Sequence, residues 1–194
     1  MARDPFYLTT PLSDSDVSRL RAGDVVYFSG VLFTARDAAH ERFAETLAQG
    51  GSLPFDPRGQ VIYYVGPTPA KPGHPIGSAG PTTASRMDPY APLLIQRGLK
   101  GMIGKGRRND AVVAAMKKYQ CVYFGAVEGT AALIARTVQS CQVIAYGDLG
   151  TEAVHRLVVK DFPAVVVSDT EGRDLYQEGR NRYRREPSTS LDSS

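Results

Sequence analysis

The amino-acid sequence predicts an α/β fold, layered as β/β/α and built as one domain, on three observations. Short β-branched and aromatic runs dominate the first third, as in Val25-Val26-Tyr27-Phe28. From Gly101 onward, helical and strand patterns alternate. Nothing along the 194 residues reads as an internal repeat or as a linker dividing the core.

Near the start, Ser13 and Asp14 precede Val17 and Leu20, an N-cap signature for a short helix that Gly23 ends. Val25–Phe28 reads as a strand and Gly30–Thr34 as its hairpin partner. Asp37 is expected to cap a helix to Leu47, with Ala39, Phe43 and Leu47 on one face and Gly50-Gly51 as the stop. Gln60–Val65 is a strand. Gly66–Pro81 holds four glycines and five prolines, so it is expected to be an irregular loop, mobile in the isolated chain. Asp88-Pro89 reads as the cap and first turn of a helix through Gln96, stopped by Gly98.

Gly101–Ile103 is the next strand, and Asn109-Asp110 cap a helix bearing Val112, Val113, Met116 and Tyr119. A strand over Cys121–Phe124, a helix over Gly129–Val138 and a strand over Cys141–Tyr146 follow. Val154–Val159 and Ala164–Ser168 read as two strands turned at Pro163. The domain is expected to occupy 1–178, with 179–194, Arg-rich then Ser-rich, as a polar, disordered tail.

Composition narrows the function. Hydrophobic residues make up 42%, as in globular proteins, and the net charge of +3 is too mild for a nucleic-acid binder. The apolar runs are too short to span a bilayer and the N-terminus carries no apolar signal region, so a soluble, cytoplasmic protein without membrane contact is expected. Cys121 and Cys141 are scattered and form no CxxC; buried small hydrophobes are the plain reading. No metal site is expected on this chain.

Three stretches stand out chemically. In Gly80-Pro81-Thr82-Thr83-Ala84-Ser85-Arg86, small residues allow close backbone approach, and on a helical turn Thr82 and Arg86 would face one way and hold a carboxylate. The alternative is a capped turn with a surface arginine. Lys105, set between Gly104 and Gly106 after a strand, can point at a ligand beyond the sheet edge, or sit in a solvated basic turn. Arg36 and His40 flank a helix start, where an anion is favoured, and His40 could bind substrate or titrate near neutrality. The alternative is an Asp37-capped helix with a solvated Arg and His. Three cations and a hydroxyl pair suit a small molecule with two carboxylates.

Thr34-Ala35-Arg36-Asp37-Ala38-Ala39-His40, Gly80-Pro81-Thr82-Thr83 with Arg86-Met87-Asp88, Gly104-Lys105-Gly106 and Asp161-Phe162-Pro163-Ala164 occur in the order found in class I fumarases. Over Thr9–Tyr176 the chain resembles their C-terminal domain, in many organisms a separate β subunit; the L-tartrate dehydratase β subunit is similar. The resemblance implies a swivelling β/β/α domain and a C4 dicarboxylate substrate. Reversible hydration of fumarate to L-malate would be the reaction, with L-tartrate dehydratase and mesaconate hydratase as alternatives. Outside the enzymes, the alternative is a non-catalytic swivelling domain that binds an anion or a partner.

The resemblance further implies a separate α subunit that carries the cysteines of a [4Fe-4S] cluster, whose open iron acts as a Lewis acid. An α2β2 assembly would result, with a homodimer as the alternative for the chain alone. Arg36, Thr83, Arg86, Lys105 and His40 would bind substrate. Thr82 and Lys105 would be catalytic, Thr82 in proton transfer at C3 with Lys105 easing its ionisation.

Overall fold

A computed structural model describes residues 3–126 and 131–183. The strands are β1 (Phe6–Thr9), β2 (Val25–Thr34), β3 (Val61–Tyr63), β4 (Gly101–Gly104), β5 (Val122–Gly125), β6 (Val138–Ala145) and β7 (Val154–Ser168). The helices are α1 (Asp14–Ser18), α2 (Asp37–Ala48), α3 (Ala91–Gln96), α4 (Asp110–Tyr119), α5 (Ala131–Thr137) and α6 (Leu175–Tyr183), with 3-10 turns at Ala84–Met87 and Gly147–Glu152. The result is a mixed α/β fold.

The local signals act through hydrogen bonds. Ser13 forms a capping box with Asp16, and the Asn109 side chain accepts from the Val112 amide, so α1 and α4 start where their first orphan amides find acceptors. Two expected caps differ. Arg36 is the N-cap of α2 and makes no side-chain bond there, which leaves Asp37 inside the first turn. Asp88 follows the 3-10 turn, and α3 starts three residues later with Pro92 near its N-terminus.

The larger departures concern strands. The expected hairpin in 25–34 is one strand, and the expected pair 154–168 is also one strand. β2 and β7 run antiparallel along their lengths, Phe28 opposite Phe162 and Gly30 opposite Val159. Between those pairs Ser29 faces both Lys160 and Asp161, a bulge at which Asp161 adopts φ 54 and its amide donates to Ser29 Oγ at 3.1 Å. Bulges bend a strand without ending it. Here the bend lets β7 pair with β6 along Val154–Val159 and with β5 along Val165–Ser168. Asp161-Phe162-Pro163-Ala164 therefore shapes the sheet. Gly30 is required nearby: its φ is 106, and a β-carbon there would lie 2.7 Å from Thr10 Oγ1.

β2, β3 and β4 pair in parallel, as do β4 and β5. Antiparallel β7 joins β5 back to β2, so these five strands close a ring, with β1 and β6 paired outside it. Alternation sorts β3 and its extension: Val61, Tyr63 and Val65 enter one core with Phe28, Leu32, Phe124 and Phe162. Ile62 and Tyr64 enter a second core with Phe43 of α2, Leu94 and Ile95 of α3, and Val112 and Met116 of α4. One core lies between sheet walls, the other between sheet and helices.

Of the helix expected over 129–138, α5 covers Ala131–Thr137 and Val138 already belongs to β6; 127–130 lie outside the described residues. At the C-terminus, α6 extends past the expected boundary at 178 to Tyr183, and the rest of the expected tail, 184–194, lies outside the described residues. Among the described residues no helix is long and apolar enough to cross a membrane.

Candidate functional site

Because β2, β3, β4 and β5 are parallel, their carboxyl ends share one edge of the ring. Ligands of such sheets bind beyond that edge. Arg36 lies two residues past β2, Lys105 one residue past β4, and Ala126 one residue past β5. Adjacent strands lie about 4.8 Å apart, so Arg36 and Lys105, two strands apart, issue from backbones about 10 Å apart.

Thr82 and Thr83 reach this edge by pairing. The Thr82 amide donates to Tyr64 O at 2.7 Å, the Lys105 amide to Thr82 O at 3.2 Å and the Ala84 amide to Lys105 O at 2.8 Å. Thr83 and Lys105 thus form a parallel bridge. Both line a cavity of about 500 Å³ whose other described walls are Gly104, Gly106, Gly125, Ala126 and Tyr176. Gly106 has φ 80, a backbone state that favours glycine, and its carbonyl accepts from Tyr123 Oη at 2.9 Å.

Arg86 is exposed on the 3-10 turn that follows. The expected alignment of Thr82 with Arg86 requires an α-turn. The 3-10 turn begins at Ala84 and its hydrogen bond links the Arg86 amide to Thr83 O at 3.5 Å, so Arg86 is tied to Thr83.

Arg36 sits half-buried over Gly66, where a β-carbon would come within 3.3 Å of its Nη1. Its guanidinium pairs with Glu152 at 3.0 Å and Asp37 at 3.6 Å. The loop after Gly66 has hydrogen-bonded arms, Thr68 amide to Ser78 O and Gly77 amide to Thr68 O, both at 3.0 Å. Its base is anchored by buried Ile76 and Ala79, while Pro69–His74 is exposed.

His40 is placed differently from the expectation. Arg36 is extended at the N-cap, so the two side chains do not share a helical face. The imidazole is wholly buried against Phe43, Tyr64 and Tyr90, which leaves it no surface for substrate. Its Nδ1 donates to Arg36 O at 2.8 Å, and Nε2 has no protein partner. Desolvation pulls its pKa down to about 4, so the ring is neutral at pH 7.

Two features carry no local sequence signal. Asp88, read as a cap, accepts from Arg108 Nε at 2.7 Å and from the Asn109 amide at 2.9 Å. Arg108, in a stretch open to reading as a solvated turn, is 6% exposed, donates from Nη1 to Tyr64 Oη at 3.1 Å and lies over the Tyr64 and Tyr123 rings. The second feature is Tyr176, on a helix remote in sequence. An arginine that keeps its charge but loses its water can be found only from the tertiary packing.

The cysteines do not suit an iron–sulfur cluster. Ligation requires thiolates. Cys121 is wholly buried, and burial pushes its thiol up to about 12; Cys141, on β6, is also raised by burial. Among the described residues no three His, Cys, Asp or Glu side chains gather as a metal would need.

A family model described as "Fumarase C-terminus" matches residues 4–179. The anaerobic class I fumarate hydratase of Escherichia coli K12 is 38% identical over 156 residues, 79% of this chain and 28% of that protein. Fumarate hydratase 1, mitochondrial, of Leishmania major is 40% identical over 152 residues, covering 77% and 28%. A protein of Methanocaldococcus jannaschii, provisionally named an L(+)-tartrate dehydratase subunit beta, is 35% identical over 178 residues, covering 89% of this chain and 91% of its own length. The chain thus spans under a third of the fumarate hydratases but nearly all of the M. jannaschii protein.

Proposed function

This chain belongs to the fumarase C-terminus family, and on that premise we propose that it is the substrate-clamping β subunit, a swivelling domain, of an iron–sulfur hydro-lyase converting fumarate and L-malate. The observation that carries the reading is the pairing of Thr83 with Lys105 at the carboxyl edge of four parallel strands, with Arg36 two residues past β2 at the same edge.

In this reading Lys105 and Thr83 hold one substrate carboxylate in their shared cavity, and Arg86 and Arg36 hold the other. Guanidinium and ammonium groups give short, charge-assisted hydrogen bonds to carboxylates. Arg36 exchanges part of its pairing with Glu152 for substrate. Thr82 takes the C3 proton as malate loses water and returns it on hydration. A hydroxyl is a weak base, and the positive charge of Lys105 beside it favours its ionised form. His40 orients Arg36 through its backbone carbonyl.

A [4Fe-4S] cluster would be held by a separate α subunit in an α2β2 assembly and would supply Lewis-acid activation of the hydroxyl group. The near full-length match to a tartrate dehydratase β subunit supports L-tartrate as a second substrate reading.

An anaerobic assay tests the proposal, with the chain alone and co-expressed with its α subunit, on fumarate, mesaconate and L-tartrate. Turnover only in the co-expressed sample is expected, fastest with fumarate. Failure on all three with an intact cluster on the partner overturns the enzyme reading and leaves a binding domain.

A further inference from the structure

Tyr176 lies some seventy residues beyond Lys105 in sequence, yet it walls the same cavity. The described lining consists of Thr83, Gly104, Lys105, Gly106, Gly125, Ala126 and Tyr176. Three of these are glycines and one is alanine, so the polar side-chain atoms they offer are the Thr83 hydroxyl, the Lys105 ammonium and the Tyr176 phenol.

The backbone that carries the phenol is held in place. Ser168, at the end of β7, pairs with Tyr123 of β5 and donates to Asp174 Oδ2 at 2.5 Å. Asp174 Oδ1 accepts the amides of Tyr176 at 2.9 Å and Gln177 at 3.1 Å, capping α6. Asp169 closes the turn between them, accepting the amides of Glu171 and Arg173 at 3.0 Å and of Ala22 at 3.1 Å. Ser168, Asp169 and Asp174 are all buried. Tyr176 itself stays 42% exposed. It thus lines the cavity from a backbone position fixed by buried carboxylates.

We infer that Tyr176 is a substrate-contact residue, its hydroxyl donating to the carboxylate that Lys105 and Thr83 hold. The inference rests on the function proposed above. An ionised carboxylate accepts at about four lone-pair sites. Lysine answers it as a compact point charge with little directional preference. A phenol lining the same cavity adds direction and fixes the tilt of the carboxylate.

The test uses the α–β complex with wild-type chain, Tyr176→Phe and Tyr176→Leu. It measures kcat and KM with the preferred dicarboxylate, and the Kd of succinate, an unreactive C4 dicarboxylate, by calorimetry. Loss of one hydrogen bond to a charged group corresponds to about a tenfold rise in KM. Tyr176→Phe is expected to show that rise, the same rise in the succinate Kd and a kcat within about threefold of wild type, a split that a merely structural role would not produce. Unchanged KM and Kd in Tyr176→Phe, beside an active wild type, overturn the contact while leaving the proposed function standing. Damage in Tyr176→Leu but not in Tyr176→Phe also overturns it, since ring packing is then the whole effect. A wild-type complex that neither turns over nor binds any C4 dicarboxylate overturns the functional reading and the contact with it.

Discussion

Arg108 Nε donates to Asp88 Oδ1 at 2.7 Å across twenty residues of sequence, with both side chains buried. Asp88 closes the segment that carries Thr82, Thr83 and Arg86, while Arg108 closes the loop that carries Lys105. The pair therefore fixes the two anion-binding segments to each other behind the site, and Tyr64 Oη joins them to β3.

Asp88→Ala leaves a desolvated guanidinium without its counter-charge, which costs about 3–5 kcal/mol. Urea unfolding is expected to show that loss, and Arg108→Lys a comparable failure, since an ammonium cannot reproduce the planar bonds to Asp88 and Tyr64. The double variant Asp88→Leu/Arg108→Met is expected to be more stable than Asp88→Ala. A loss in the double variant as large as the Asp88→Ala and Arg108→Lys losses added together would show that the pair is not coupled.

Arg86 is exposed and no core group depends on it. Arg86→Ala is expected to change unfolding free energy by less than about 0.5 kcal/mol. In the assembled enzyme it loses a charged partner of the substrate carboxylate, about 2–5 kcal/mol, seen as raised KM. An unchanged KM removes Arg86 from the site.

Gly104 leaves no room for a side chain: a β-carbon would lie 2.9 Å from Tyr64 Cδ2, 3.3 Å from Ala84 Cβ and 3.4 Å from Thr82 O. Gly104→Ala must push the Thr82–Ala84 segment off β4, at about 1–3 kcal/mol. A displacement near 1 Å at reacting groups lowers kcat by about a hundredfold. Wild-type kcat in this variant would mean that the geometry of Thr82 is not critical to turnover.

His40 titrates near 4 in the folded chain, against 6.5 without burial. Between these values the unfolded chain binds the proton and the folded chain does not, so stability rises with pH through this window. The contribution is complete above 6.5 and is lost as pH falls toward 4; the whole difference is on the order of 3 kcal/mol. Wild type minus His40→Leu, compared by urea unfolding at pH 7 and 4.5, isolates this from the carboxylates. A difference that does not change with pH would place the ring in contact with water.

The sequence determined what depends on near neighbours. Ser13 and Asn109 start helices because their side-chain oxygens reach amides of the next turn, and Gly98 stops one because its φ of 95 suits glycine. It also supplied Arg36, Thr82, Thr83, Arg86 and Lys105 as an ordered set, since ordered motifs carry family membership. Packing between remote segments decided the rest. Gly30 and Pro163 read as turns, yet β2 and β7 continue past them, because two long strands satisfy each other's backbone and the bend at the Asp161 bulge absorbs the irregularity. His40 reads as a substrate-binding or solvated group and no local signal marks Arg108, yet desolvation in the helix-side core makes one a neutral ring and the other half of a buried ion pair. Tyr176 joins Lys105 only because β7 returns the chain beside β5. A short sequence window records backbone preference; burial and long-range pairing arise when the ring closes.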